Sequence, residues 1–135
     1  MRRPLPALAW VALMGIASGC TLGGSEPTFE QPPESAFRAG DCRGMAPDIL
    51  AIGRDARNLG AGDAAPPPVA ANLKAAQDRL RAVQPTLEPD VAPLVDDVVV
   101  AIGDVRLASV VNGLTASMAT DLSAKYELLV GGCTD

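Results

Sequence analysis

From Met45 onward, apolar residues recur at steps of three and four, the spacing that lines one face of an α-helix. Met45, Ile49, Ile52, Ala56 and Leu59 form the first such stripe. Pro47 and Asp48 suit a helix start there and Gly60 its end. Val69, Leu73, Ala76, Leu80 and Val83 predict a second helix from about Pro68 to Gln84, stopped by Pro85. Its opposite face carries Lys74, Asp78, Arg79 and Arg81, as a solvated side should. A third stripe, Val91, Val95, Val98, Ile102 and Val105, predicts a helix reaching about Val110, with Asp90 as N-cap and Pro93 in the first turn. The run Val98-Val99-Val100 would also suit a strand, and length decides for the helix. Gly103-Asp104 marks an alternative break. The fourth helix, from about Thr115 to Val130, aligns Met118, Leu122, Tyr126 and Leu129, with Gly131-Gly132 as its end.

Four amphipathic helices with short connections predict an all-α fold, a four-helix up-down-up-down bundle. In that topology the start of the first helix and the end of the fourth share one end of the molecule. Cys42 and Cys133 stand at those two places.

The first twenty residues follow a different pattern. Met1-Arg2-Arg3 is charged, Pro4 to Ala17 is uncharged and mostly apolar, and Ala17-Ser18-Gly19 leads into Cys20. An apolar run of about 14 residues is too short for a bilayer core, which needs about 20. Pro4 and Pro6 argue against a buried helix beginning there. The segment resembles the bacterial lipoprotein signal peptide with its lipobox, usually Leu-Ala/Ser-Gly/Ala-Cys, and departs from that form at Ala17, where a larger aliphatic residue is usual. The resemblance covers residues 1–20 and implies export by general secretion, because Pro4-Leu5-Pro6 does not continue a twin-arginine motif. It further implies a diacylglycerol thioether at Cys20, removal of residues 1–19 and acylation of the new amino terminus. Two or three acyl chains hold a protein on a membrane where one holds only weakly. The expected location is the extracytoplasmic face of the cell membrane.

That compartment bears on the other two cysteines. With Cys20 lipidated, Cys42 and Cys133 remain as an even pair in an oxidising environment, where a disulfide is expected. Neither belongs to a Cys-x-x-Cys motif, and the chain has no histidine to complete a metal site. The mature chain thus divides into a flexible tether, residues 20–41, and a bundle domain, residues 42–135. The tether is rich in Gly, Pro and Glu, with Phe37 the aromatic residue expected to pack back onto the domain.

Removing residues 1–19 takes away Arg2 and Arg3 and no carboxylate, so the formal charge of −5 becomes −7. Nucleic acid is therefore not an expected partner. The absence of histidine removes the commonest general base and the usual Ser-His and Cys-His pairs, so no catalytic residue, metal or cofactor is expected. Asp96, Asp97 and Asp104 would suit a hard cation, but without an EF-hand pattern they read as the solvated side of the third helix. Arg106 stands among apolar neighbours, where it could pair with an acidic ligand, with Asp48 or Asp55, or snorkel to the surface. Composition and layout outside the lipobox look like those of small actinobacterial lipoproteins of unassigned function. The leading expectation is a non-enzymatic envelope lipoprotein that binds another protein, using an apolar strip such as Val99, Val110 and Val111. A carrier or sensor of a small apolar ligand held between the helices is the alternative, and an enzyme with converging carboxylates a distant third.

Overall fold

The structure, a computed structural model, describes residues 30–135. The leader and Cys20 lie outside the described residues. Four helices form the fold: α1 (Asp41–Arg57), α2 (Pro67–Val83), α3 (Ala92–Val110) and α4 (Ala116–Thr134). Short 3-10 turns at Glu34–Ala36 and Gln84–Thr86 complete the regular structure, with no strand among the described residues. Each helix packs on its neighbours in sequence, and α1 closes the ring against α4. This is the up-down-up-down bundle that the stripes predict.

The stripes meet at the centre. Ile49 and Ile52 from α1, Leu73 from α2, Val95, Val98, Ile102 and Val105 from α3, and Leu122 and Leu129 from α4 have no measurable exposure. Cys42 and Cys133 are joined, with their Cα atoms 5.3 Å apart, so the bridge clasps the first turn of α1 to the last turn of α4.

Three boundaries differ from the sequence reading. Helix α1 begins at Asp41, ahead of Pro47, which lies inside the helix with its ring exposed. Gly40 adopts φ +93°, a conformation that favours glycine, and this turn sets the helix start. Proline lacks the N–H that would bond the Arg43 carbonyl, and burial of Cys42, Met45 and Ala46 holds the turns around it in place. Helix α3 starts at Ala92 without a side-chain cap, and it runs unbroken past Gly103. Asp90 instead accepts from Arg38 Nη2 at 3.1 Å. Helix α4 continues through Gly131-Gly132 to Thr134, because Cys133 is buried in the core and Thr134 Oγ1 donates to the Val130 carbonyl at 2.8 Å. Its start agrees with the expectation: Thr115 Oγ1 caps the Met118 N–H.

Within the segment assigned to the tether, Gln31 and Phe37 are held against the bundle while residues 33–36 stay exposed. Gln31 Nε2 donates to the Leu50 carbonyl at 2.7 Å, and Phe37 is 1% exposed. The Arg38 N–H donates to the Cys133 carbonyl at 2.8 Å, placing the Arg38 guanidinium 3.9 Å from Cys42 Sγ. Residues 31–38 therefore lie over the α1–α4 side, with Arg38 beside the disulfide. Gly53 makes this possible, since a Cβ there would stand 2.4 Å from Tyr126 Cζ and 2.6 Å from Gln31 Nε2.

Tyr126 is buried on the core stripe and accepts from Gln31 Nε2 at 3.4 Å. Burial pushes its phenol above the ordinary value of 10.0, because the charged form loses solvation. The neutral phenol is thus favoured by folding. Its contribution is complete below the unfolded pKa and is lost as pH rises through the folded one. Urea titrations from neutrality to about pH 11 should show the stability difference between wild type and Tyr126→Phe changing only above about pH 10, to the wild type's disadvantage. A difference that stays flat across that range would refute the assignment.

Candidate interaction surface

Helix α3 is apolar on more of its circumference than one core requires. A core-facing stripe about 100° wide suffices for a surface helix. Val95, Val98, Val99, Ile102 and Val105 supply it, all buried. Val100, Leu107 and Val110 project to the other side, and Val111 follows as the C-cap. Their exposures are 53%, 70%, 79% and 70%. Large apolar side chains gathered on one helix face differ from the single exposed leucines that every surface carries. Leu128 of α4 is exposed as well.

This surface corrects one expected member. Val99 is 4% exposed, because it turns toward α2, where its carbonyl accepts from Gln77 Nε2 at 2.7 Å. Val100, one residue on and so rotated about 100° around the axis, takes the outward place. Val110 and Val111 are exposed as expected.

A groove flanks the ridge on each side. Between α3 and α4 lies a cleft of about 550 Å³ whose walls include Ala101, Leu107, Val111 and Met118. Asp104 and Asp121 are its charged lining residues. Between α2 and α3 lies a second cleft of about 390 Å³, lined by Ala65, Ala70, Ala71, Ser109 and Val110. Its charged residues are Lys74 and Arg106. The ridge therefore separates an acidic groove from a basic one.

Arg106 reaches neither Asp48 nor Asp55. Its Nη1 donates to Gln77 Oε1, a neutral amide, and among the described residues it forms no ion pair. Asp48 pairs with Arg79 at 2.6 Å, and Asp55, buried, accepts from Asn72 Nδ2 at 3.4 Å. Lys74 donates to Asp78 at 2.5 Å, and that bond holds the Asp78 carboxyl below its ordinary value. Gln77 was invisible in the sequence pattern because an amide breaks the apolar stripe. It is fully buried and has both ends satisfied, by the Val99 carbonyl and by Arg106.

The acidic candidates on α3 stay apart. Asp96 accepts from Gln84 Nε2 at 2.8 Å, while Asp97 and Asp104 face solvent. No group of three or more candidate metal-binding side chains gathers among the described residues. No described helix is long and apolar enough to cross a membrane.

Comparison of the chain with known protein families, with characterised proteins and with solved structures finds no match in any of the three. The functional reading therefore rests on the surface itself.

Proposed function

We propose that this chain is an extracytoplasmic lipoprotein, held on the cell membrane through lipid at Cys20, whose bundle is a non-catalytic protein-interaction module. The observation that carries the reading is the outward apolar face of α3. Val100, Leu107, Val110 and Val111 contribute little to the core, yet all are costly to keep in water. A helix that keeps such a face after closing its own bundle has a second surface to cover.

The alternative of a small apolar ligand carried between the helices has less support. The four stripes fill the space between the helices with side chains that have almost no exposure. The two clefts described above lie outside that core, at the seams beside α3. A partner that lies on the surface fits this arrangement better than one enclosed within it.

The test has two arms. Intact-mass analysis of the membrane fraction should find a chain beginning at an acylated Cys20, with Cys20→Ser moved to the soluble fraction. A soluble, unacylated wild type would defeat the anchor. Separately, Leu107→Ser with Val111→Ser should leave thermal unfolding unchanged and shift the detergent-extracted protein to a smaller species on native gels. Migration identical to wild type would defeat the interaction surface.

A further inference from the structure

We propose that the face of α3 pairs two copies of this chain, with their α3 helices side by side and parallel. The inference rests on the reading of that face as a contact surface, and it names the occupant. The argument comes from the distribution of charge beside the ridge. Asp104 and Asp121 line the groove on the α4 side, and Lys74 and Arg106 line the groove on the α2 side. Asp104 and Arg106 are two residues apart in α3, so the acidic and basic patches lie about 3 Å apart in height along the axis.

Symmetry then decides the orientation. A two-fold axis parallel to α3 brings the acidic groove of each copy opposite the basic groove of the other, at nearly the same height. An axis perpendicular to α3 makes the helices antiparallel and places acidic groove on acidic groove. Self-complementarity is the condition for an isologous contact, and it is met by the parallel arrangement alone. Arg106 makes its hydrogen bond to neutral Gln77 and lies within electrostatic reach of Asp78 without an ion pair to it, so part of its charge is left for a second copy. Lys74 shares its charge with Asp78 and contributes less.

The remaining geometry agrees. Residues 31–38 lie over the α1–α4 side, facing away from the ridge, so the segment entering the bundle does not cover it. Parallel helices send both entering segments toward the same end of the pair, an arrangement compatible with two copies held by one leaflet. A contact along the ridge from Val100 to Val111, about 17 Å long and about two helix diameters wide, covers about 370 Å² on each copy, below the usual size of a specific interface. Tethering to a common membrane raises the effective concentration and compensates for so small a contact.

Single-cysteine cross-linking of the full-length chain in bacterial membranes tests this, using a short bismaleimide and the chain without an added cysteine as control. In a parallel pair each ridge residue meets its own copy, so Val100→Cys, Leu107→Cys and Val111→Cys should each give a covalent dimer, and Glu127→Cys should not. Asp104→Lys should weaken pairing about tenfold, since the symmetry introduces the repulsion twice, and adding Lys74→Glu should restore it. Cross-linking at Asp104→Cys with none at positions 100 and 111 would show antiparallel packing and overturn the proposal. Adducts at position 107 with a different protein, and no dimer, would also overturn it while leaving the contact surface standing. Full labelling of all three cysteines by a maleimide-polymer, with no adduct of any kind, would remove both readings.

Discussion

Replacing Cys42 and Cys133 together by alanine should lower the unfolding free energy by about 4.6 kcal/mol, the largest effect expected of any change to the bundle. The two residues are 91 apart in sequence, and the bond forbids the unfolded chain most of the extended states it would otherwise reach. The cost grows only with the logarithm of loop length, yet this loop is close to the full length of the domain. A domain of this size has a total stability of about 5–15 kcal/mol, so the loss is about three-tenths of it or more. Native-state effects add in the same direction. Helix α4 keeps its last turn despite Gly131 and Gly132, each about 1 kcal/mol less favourable in a helix than alanine, because Cys133 pins it. Urea unfolding should therefore show a lower midpoint in the variant, and hydrogen exchange should rise first in the amides of residues 130–134. A loss below about 1 kcal/mol would mean that the unfolded chain is already compact without the bond.

The fold was legible because each helix contributes one continuous stripe. Ile49, Leu73, Val98 and Leu122 all fall where a period of 3.6 places them, and all are buried. Boundaries were harder to see. Pro47 reads locally as a helix start, whereas the turn at Gly40 and the burial of Cys42, Met45 and Ala46 hold the helix ahead of it. Gly131-Gly132 reads locally as a stop, and the bond between Cys133 and Cys42 overrides it. Composition made residues 30–40 resemble a tether, whereas Gln31 and Phe37 find partners in Leu50, Tyr126 and the core that no local pattern reveals. The interaction surface was half legible for a related reason. Apolar residues lie on nearly every side of α3, so periodicity alone gives little contrast between its inner and outer faces. Val99 and Val100 are chemically the same, and only the placement of α2 sends one inward and the other outward. The two grooves are properties of neighbouring helices and have no counterpart in a linear pattern.

Leu122→Ala and Leu107→Ser should separate the fold from the surface. Leu122 is fully buried among the other stripes, so truncating it removes its transfer free energy and leaves a cavity, at a cost of about 2–5 kcal/mol. Leu107 lines the cleft between α3 and α4, and it is 70% exposed. Serine there gives up little buried area and about 0.5 kcal/mol of helix propensity, and the removal of an apolar side chain from water costs the fold nothing. Urea midpoints for the two variants should therefore diverge sharply, the first falling and the second staying within about 0.5 kcal/mol of wild type. That outcome has a functional consequence. A leucine that the fold does not need, set between Val100 and Val111 on one face and bordered by charge of opposite sign on either side, has its role in what the bundle meets. A loss at Leu107→Ser as large as that at Leu122→Ala would instead make the outer face of α3 part of the bundle's own stability, and the interaction surface would lose its basis.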